Sequence, residues 1–343
     1  VHLTANHRVA ILLHEGIKGI HGKTGLAYLR YGKSAIAAVI DADCAGQSLE
    51  KVTGIAKNIP IVSNVQEALA YNPDVLLIGI APSGGILSDQ LLEEVKQGVK
   101  AGLSVVNGLH IPLSPYFNNL QPQQWIWDIR QEPKGLSIGL AKAQSLSCQR
   151  ILTVGTDMSV GKMSTSLECH QSAQKRGIKS KFLGTGQGGI MIAGEGIALD
   201  AIRVDFAAGA VEKMVMEAGK DHDILWIEGQ GSLLHPGSTA TLPLIRGSQP
   251  TALILVHRVG QTQIHNALQV SIPPLPEVIE LYEQVAQVGG GTNQVKVKAI
   301  ALNTFHLDIK EAQKAIETVK ETTGLPCTDV VRFGGDSLLD YLL

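Results

Sequence analysis

The sequence predicts an α/β chain of two domains, each a doubly wound parallel sheet. Three features of the chain point this way. Apolar runs at residues 74–80, 151–154, 223–227 and 252–256 are continuous rather than alternating, as in strands covered on both faces. Stretches of helical spacing, such as residues 88–101, separate them, so strands and helices alternate. At 343 residues the chain is also too long for a single hydrophobic core. Pro112, Pro115, Pro122 and Pro133 break the stretch between the two halves. The expected domains are therefore residues 1–110 and 150–343, with a connection at 111–149.

In the first domain, residues 8–13 read as a strand. The turn after it spaces Gly16 and Gly22 by five residues and runs into Lys23-Thr24. The helix that follows is short, because Gly32 interrupts it. Residues 35–40 form the next strand and end in Asp41, an acid where dinucleotide folds hold a ribose. No intact Gly-x-Gly-x-x-Gly is present, so the residues favour a Rossmann-like scaffold over a nicotinamide site. A short strand at 60–62, a helix at 65–70, the strand 74–80, the helix 88–101 and a strand at 103–106 continue the alternation. Ser83, Gly84, Asn107 and His110 then fall at the C-terminal sheet edge, where ligands gather in such folds. Each serves equally well as a turn former. Asp128 and Arg130 in the connection are spaced to form an ion pair.

The second domain opens on the most informative stretch. The strand 151–154 leads into Gly155-Thr156-Asp157-Met158-Ser159-Val160-Gly161-Lys162, and a helix follows that Gly177 ends. Glycines let the backbone turn its N–H groups inward, the helix start adds partial positive charge, and the lysine adds a full one. This is a phosphate cradle, and it predicts a P-loop NTPase-like domain. It departs from the usual pattern twice: five residues separate its glycines instead of four, and Met163 replaces the Ser or Thr whose hydroxyl holds magnesium. Ser164 and Thr165 carry hydroxyls but lie further along the helix.

Residues 181–183 read as a strand running into the glycine-rich loop Gly184-Thr185-Gly186-Gln187-Gly188-Gly189-Ile190, which can approach a ligand closely. Arg203 and Asp205 precede a helix at 211–218. The strand at 223–227 delivers Glu228-Gly229 beside the cradle, where a carboxylate can act as a base. His235 follows, as a proton shuttle or as a turn residue before Pro236. His257-Arg258 end the strand 252–256, and His265 is expected at the surface. The strand 297–302 delivers Asn303, at the position where P-loop folds read a nucleobase. Residues 328–333 read as a last strand, with Gly334-Gly335-Asp336 opening a tail.

Bulk composition narrows the partners. The chain is 44% hydrophobic, 17% charged and 4% aromatic, with a net charge of −2 and no basic run. Nucleic acid and anionic membrane are therefore not expected, and a small-molecule substrate is. Cys44, Cys148, Cys169 and Cys327 show no metal-ligand spacing and no disulfide framework, which suits a cytoplasmic protein and predicts no metal site. Assembly into a homo-oligomer is the expectation for a two-domain α/β enzyme.

Two resemblances add to this reading. The cradle, with Glu228-Gly229 and Asn303, resembles dethiobiotin synthetases. That likeness implies an ATP- and magnesium-dependent ligase or kinase acting on a carboxylate. A second resemblance spans nearly the whole chain. It rests on the Rossmann-like first half, the loop with Met163 after Lys162, Gly184-Thr185-Gly186-Gln187, Asp205-Phe206-Ala207-Ala208-Gly209-Ala210 and Ile227-Glu228-Gly229-Gln230-Gly231-Ser232. These resemble the family named for D-glutamate N-acetyltransferase. The resemblance implies acetyl transfer from acetyl-CoA to a D-amino acid such as D-glutamate. Its phosphates would sit on residues Gly155 through Ser164, including Lys162, whose charge also belongs to the catalytic set. The amino acid would bind near Gly186, Gln187 and Gly188, with Arg203 facing its carboxylate and Asp205 beside it. Glu228 or His235 would take the proton. A non-catalytic nucleotide-binding protein is the third reading.

Overall fold

The computed structural model describes residues 3–19, 21–82, 85–288 and 295–343. Ser83 and Gly84 lie outside the described residues. The chain forms two compact units. One comprises Val1–Glu132 with Gly186–Ala201, the other Pro133–Thr185 with Ile202–Leu343.

The first unit is built on six parallel strands, β1 (Arg8–Leu12), β2 (Ala35–Ile40), β3 (Ile61–Val62), β4 (Val75–Ile78), β5 (Ser104–Asn107) and β6 (Ile126–Asp128). Their order is β3-β2-β1-β4-β5-β6, the strand order of the Rossmann fold. Val9 to Leu12 and Val75 to Leu77 are fully buried, which explains their unbroken apolar runs. The acid at the end of β2 is not available to a ribose. Asp41 is buried, and its Oδ1 accepts from the amides of Asp43 and Cys44, each at 3.1 Å. The helix Lys23–Tyr31 is short and stops at Gly32, as expected.

Residues 111–149 are more than a connection, because β6 lies within them and completes the first sheet. The expected pairing of Asp128 with Arg130 does not form. Asp128 instead accepts from Asn107 Nδ2 at 2.7 Å and from the amides of Leu113 and Ser114 at 2.8 and 2.9 Å. Arg130 pairs with Asp200 and donates from Nε to the Gly108 carbonyl at 2.6 Å. Strand alternation explains this: residues two apart share a face, but sheet neighbours and turns compete for their charges. Asn107 is likewise a turn builder, fully buried against Asp128 and the Ile111 carbonyl.

The second unit carries β7 (Gln149–Gly155), β8 (Ser180–Leu183), β9 (Ile224–Ile227), β10 (Ala252–Arg258), the hairpin β11 (Gln263–Ile264) and β12 (Ala267–Ser271), then β13 (Val297–Asn303) and β14 (Cys327–Thr328). Its parallel sheet runs β14-β13-β10-β7-β9-β8, with β7 near the middle. The hairpin is absent from the sequence reading, since its strands are too short to show alternation.

Four further expectations are corrected. The glycine-rich stretch after β8 is not a loop throughout, because Gln187–Ala193 is a helix belonging to the first unit. The helix after Arg203 begins at Val204 and runs to Ala218, earlier than expected. Residues 328–333 are not one strand, since β14 stops at Thr328 and Val330–Phe333 is helical. Asp329 causes the switch: its Oδ1 accepts from the Val331 and Arg332 amides, and its Oδ2 from Thr304 N and Oγ1. Beyond it, Asp336–Leu342 is a helix rather than a tail.

All four cysteines are free and buried. Among the described residues no helix is long and apolar enough to cross a membrane.

Replacing Asp128 by Ala strands three donors of the first unit. Asp128→Ala should destabilise that unit by about 2 kcal/mol, read from urea unfolding. An unchanged midpoint would show that those donors turn to water at no cost.

Candidate functional site

The cradle is assembled where β7 ends. Gly155 closes the strand, and the helix Lys162–Lys175 begins directly after Gly161. Gly161 has φ of 118°, a conformation open to glycine and strained for other residues. That helix has no side-chain cap. Among the described residues, the amides of Gly161, Lys162 and Met163 donate to no other group of the chain. They form an N-terminal helix edge carrying partial positive charge.

Four of the loop's carbonyls, by contrast, are taken. Tyr282 Oη donates to the Gly155 carbonyl at 2.7 Å, and Lys162 Nζ to that of Asp157 at 2.8 Å. Arg258 Nη2 donates to the Ser159 carbonyl at 3.0 Å, and Asn303 Nδ2 to that of Val160 at 2.9 Å. Within a peptide unit the N–H points opposite the C=O. Holding the Val160 carbonyl therefore turns the Gly161 N–H the other way.

Asp157 anchors the loop and is fully buried. Its Oδ1 accepts from the Met158 amide at 2.6 Å. Its Oδ2 accepts from Gln261 Nε2 at 2.5 Å and from the His265 amide at 2.7 Å. His265 is exposed, as expected, and it contributes through its backbone. Thr156 Oγ1 lies 2.9 Å from His257 Nδ1, and burial pushes that imidazole down to about 4. His257 is thus neutral at neutral pH and packs the loop without charging it.

Lys162 is the electrostatic centre. It is only 6% exposed, and no carboxylate lies within ion-pair distance among the described residues. Burial pulls its ammonium down to about 8, against the opposing fields of Asp157 and Glu228. Two glycines make room for the side chain. A Cβ on Gly155 would stand 3.1 Å from Lys162 Nζ. A Cβ on Gly229 would stand 2.9 Å from Lys162 Cδ and would overlap the Thr153 carbonyl. Met163 is half-buried, and Thr165 Oγ1 donates to the Gly161 carbonyl at 3.1 Å.

Glu228 follows β9, next to β7 in the sheet, and is buried. Its Oε2 accepts from the Thr185 amide at 2.7 Å, while Thr185 Oγ1 donates to the Glu228 carbonyl at 2.7 Å. His235 sits in the following turn, where Nδ1 accepts from the Gly237 amide at 3.0 Å. Asn303 is tied to the loop by Nδ2 and to the Phe305 amide by Oδ1 at 3.2 Å.

Gly186 caps the helix Gln187–Ala193, and Gln187 and Gly188 form its first turn, in the first unit. Arg203 and Asp205 belong to the second unit, at the start of the helix Val204–Ala218. The Arg203 guanidinium lies 4.8 Å from the Phe206 ring centre. Asp205 lines a cavity of about 760 Å³ together with Ser232, Leu233, Ser238, Thr241 and Arg246. That cavity adjoins the turn whose Leu233 amide donates to Tyr282 Oη at 3.1 Å.

The loop's fixing groups were mostly out of sight in the sequence. Tyr282, Gln261 and the His265 amide reach it from the segment after β10, with no motif to mark them. Lys162, Asn303 and the pair His257-Arg258 at a strand end were the visible signals.

Residues 137–339 match the family described as the DUF1611 C-terminal P-loop domain, and residues 42–132 its N-terminal Rossmann-like domain. The chain belongs to the DUF1611 family. A crystal structure of a DUF1611 protein from Anabaena variabilis shares 62% identity with it. The two superpose with a TM-score of 0.94 over 98% of this chain and 99% of that one. Two relatives bear the name D-glutamate N-acetyltransferase. One, from a Pseudoalteromonas species, is 36% identical over 286 residues, covering 81% of this chain and 84% of its own. The other, from Tritonibacter scottomollicae, is 35% identical over 297 residues with the same coverage.

Three pH effects follow for this DUF1611 protein. The Lys162 ammonium titrates at about 8 instead of 10.5, so binding of a phosphate ligand should weaken as pH rises through about 8. Over the same range, from about 8 to 10.5, the unliganded fold should gain stability, because the unfolded chain holds the extra proton. Lys162→Met should abolish both trends, read from calorimetric titrations and melting curves. His257 titrates at about 4 instead of 6.5, so stability present above 6.5 should be lost as pH falls toward 4. His257→Gln should flatten that acid limb, and a limb of unchanged steepness would remove His257 as its cause.

Proposed function

We propose that the chain is an N-acetyltransferase. It moves the acetyl group of acetyl-CoA to the amine of a D-amino acid, D-glutamate being the acceptor in the names of two relatives. One observation carries the reading: a cradle of unpartnered amides and a buried lysine with methionine where magnesium's hydroxyl would stand. A diphosphate that only needs to be held suits such a site. A phosphoryl group that must be transferred calls for the metal ligand as well.

In this reading the Gly161, Lys162 and Met163 amides and the Lys162 ammonium bind the CoA diphosphate. The acceptor occupies the cavity bearing Asp205 and Arg246, with the guanidinium facing a carboxylate. Arg203, beside Asp205 in the same unit, is a candidate for a further contact to it. Glu228 or His235 takes one proton from the acceptor ammonium. The nitrogen lone pair then attacks the thioester carbonyl carbon. The oxyanion collapses, the C–S bond breaks with its electron pair going to sulfur, and the proton shed by the acylated nitrogen completes the CoA thiol. Amide N–H groups lower the energy of the oxyanion.

The test is thiol release. CoA should appear from acetyl-CoA only when an acceptor amine such as D-glutamate is present, at equal rates with magnesium or EDTA. Glu228→Gln should cut kcat by about a hundredfold or more if Glu228 is the base. ADP or phosphate released from ATP with magnesium, and no thiol from acetyl-CoA, would replace the reading with ligation or phosphorylation.

A further inference from the structure

We infer that Arg258 is the second cation of the phosphate site, and that Arg258 and Lys162 together neutralise a diphosphate without a metal. This rests on the reading of the cradle as a diphosphate site and adds the residue that completes its charge.

The position is specific. Arg258 ends β10, and its register partner on β13 is Asn303, which holds the loop at Val160. Nη2 donates to the Ser159 carbonyl at 3.0 Å, so the guanidinium is already fixed to the cradle backbone. Its carbon stands 5.7 Å from the centre of the Phe305 ring, and Phe305 is 69% exposed. Nε is buried and has no hydrogen-bond partner. Among the described residues, no carboxylate lies within ion-pair distance of this guanidinium. The loop's own acid, Asp157, is occupied by Met158, Gln261 and His265.

A half-buried guanidinium with one donor used and no counter-ion is an incomplete arrangement. Burial without an acceptor is costly, and the aromatic face offsets only part of that cost. A planar fork at a strand end, tied to the cradle's own loop at Ser159 and with Nε unused, fits phosphate oxygens. Charge arithmetic points the same way. A diphosphate diester carries two negative charges. Burial pulls the Lys162 ammonium down to about 8, so this one cation is only marginally charged in mildly alkaline solution. A guanidinium remains charged throughout that range. With Met163 in place of the magnesium hydroxyl, Arg258 fills the role of the absent second charge.

The experiment titrates free CoA and ADP into wild type, Arg258→Gln and Arg258→Lys, with EDTA or with magnesium. Melting curves confirm that the variants fold. Wild type should bind equally in EDTA and in magnesium. Arg258→Gln should weaken both ligands by about tenfold to a hundredfold, with Arg258→Lys between. In turnover the loss should fall on KM for acetyl-CoA more than on kcat. Undiminished binding by Arg258→Gln would overturn the assignment, as would magnesium tightening wild-type binding tenfold. Wild type that binds ADP and leaves acetyl-CoA unused would sink acetyl transfer and leave Arg258 to be judged on ADP. Wild type that binds neither ligand would overturn both.

Discussion

Everything at the candidate site depends on four carbonyl oxygens being held. Between Gly155 and Val160 the chain could satisfy its own polar groups in many ways, and most would bury the amides that make a cradle. Tyr282, Lys162, Arg258 and Asn303 each claim one carbonyl, and Asp157 secures the loop at three more points. The backbone then has little choice but to leave the helix start unpartnered. Lys162 is the costly member of this set. Burial in low dielectric disfavours its charge, and the carbonyl and two nearby carboxylates recover only part of it. An anion in the cradle would recover the rest, so the site is organised in advance for its ligand.

The sheet order is what allows these groups to meet. β7 lies between β9 and β10, and β13 is next beyond β10. Glu228 and Gly229 arrive from one side of the loop, and His257, Arg258 and Asn303 from the other. This is the place in an open α/β sheet where the winding reverses, so successive loops leave on opposite faces and a crevice opens between them. Gly229 shows how tight the arrangement is, because any side chain there would strike both Lys162 and β7. The glycine after a strand-end glutamate is therefore part of the lysine slot, in addition to being a turn residue.

How much of this was legible in the sequence differs by element. β7, Gly155, Gly161, Lys162 and the following helix were legible because strand, glycine turn and helix start are local events. Both sheets were legible in outline because strands covered on both faces read as unbroken apolar runs. β6 was missed, since its three residues sit among prolines and tryptophans with no period to detect. The helix Gln187–Ala193 was hidden by its two glycines, whose low helix propensity is overridden by packing: Gly108 comes so close that a Cβ there would meet Met191 and Gln187. The turn at Asp329 was missed for a different reason, because its capping role also depends on Thr304, twenty-five residues earlier.

By itself, the sequence determined that a phosphate-sized edge of backbone amides with one lysine would form after β7, and that methionine would follow the lysine. It also carried the family likeness, which is written in short contiguous motifs. Only the tertiary structure decided which groups hold that edge open and that, among the described residues, Lys162 and Arg258 stand there without a carboxylate partner. Ser159 meets Arg258 across 99 residues of chain, and Val160 meets Asn303 across 143. Contacts at such separations are set by which strands lie side by side, and no spacing within a motif encodes that.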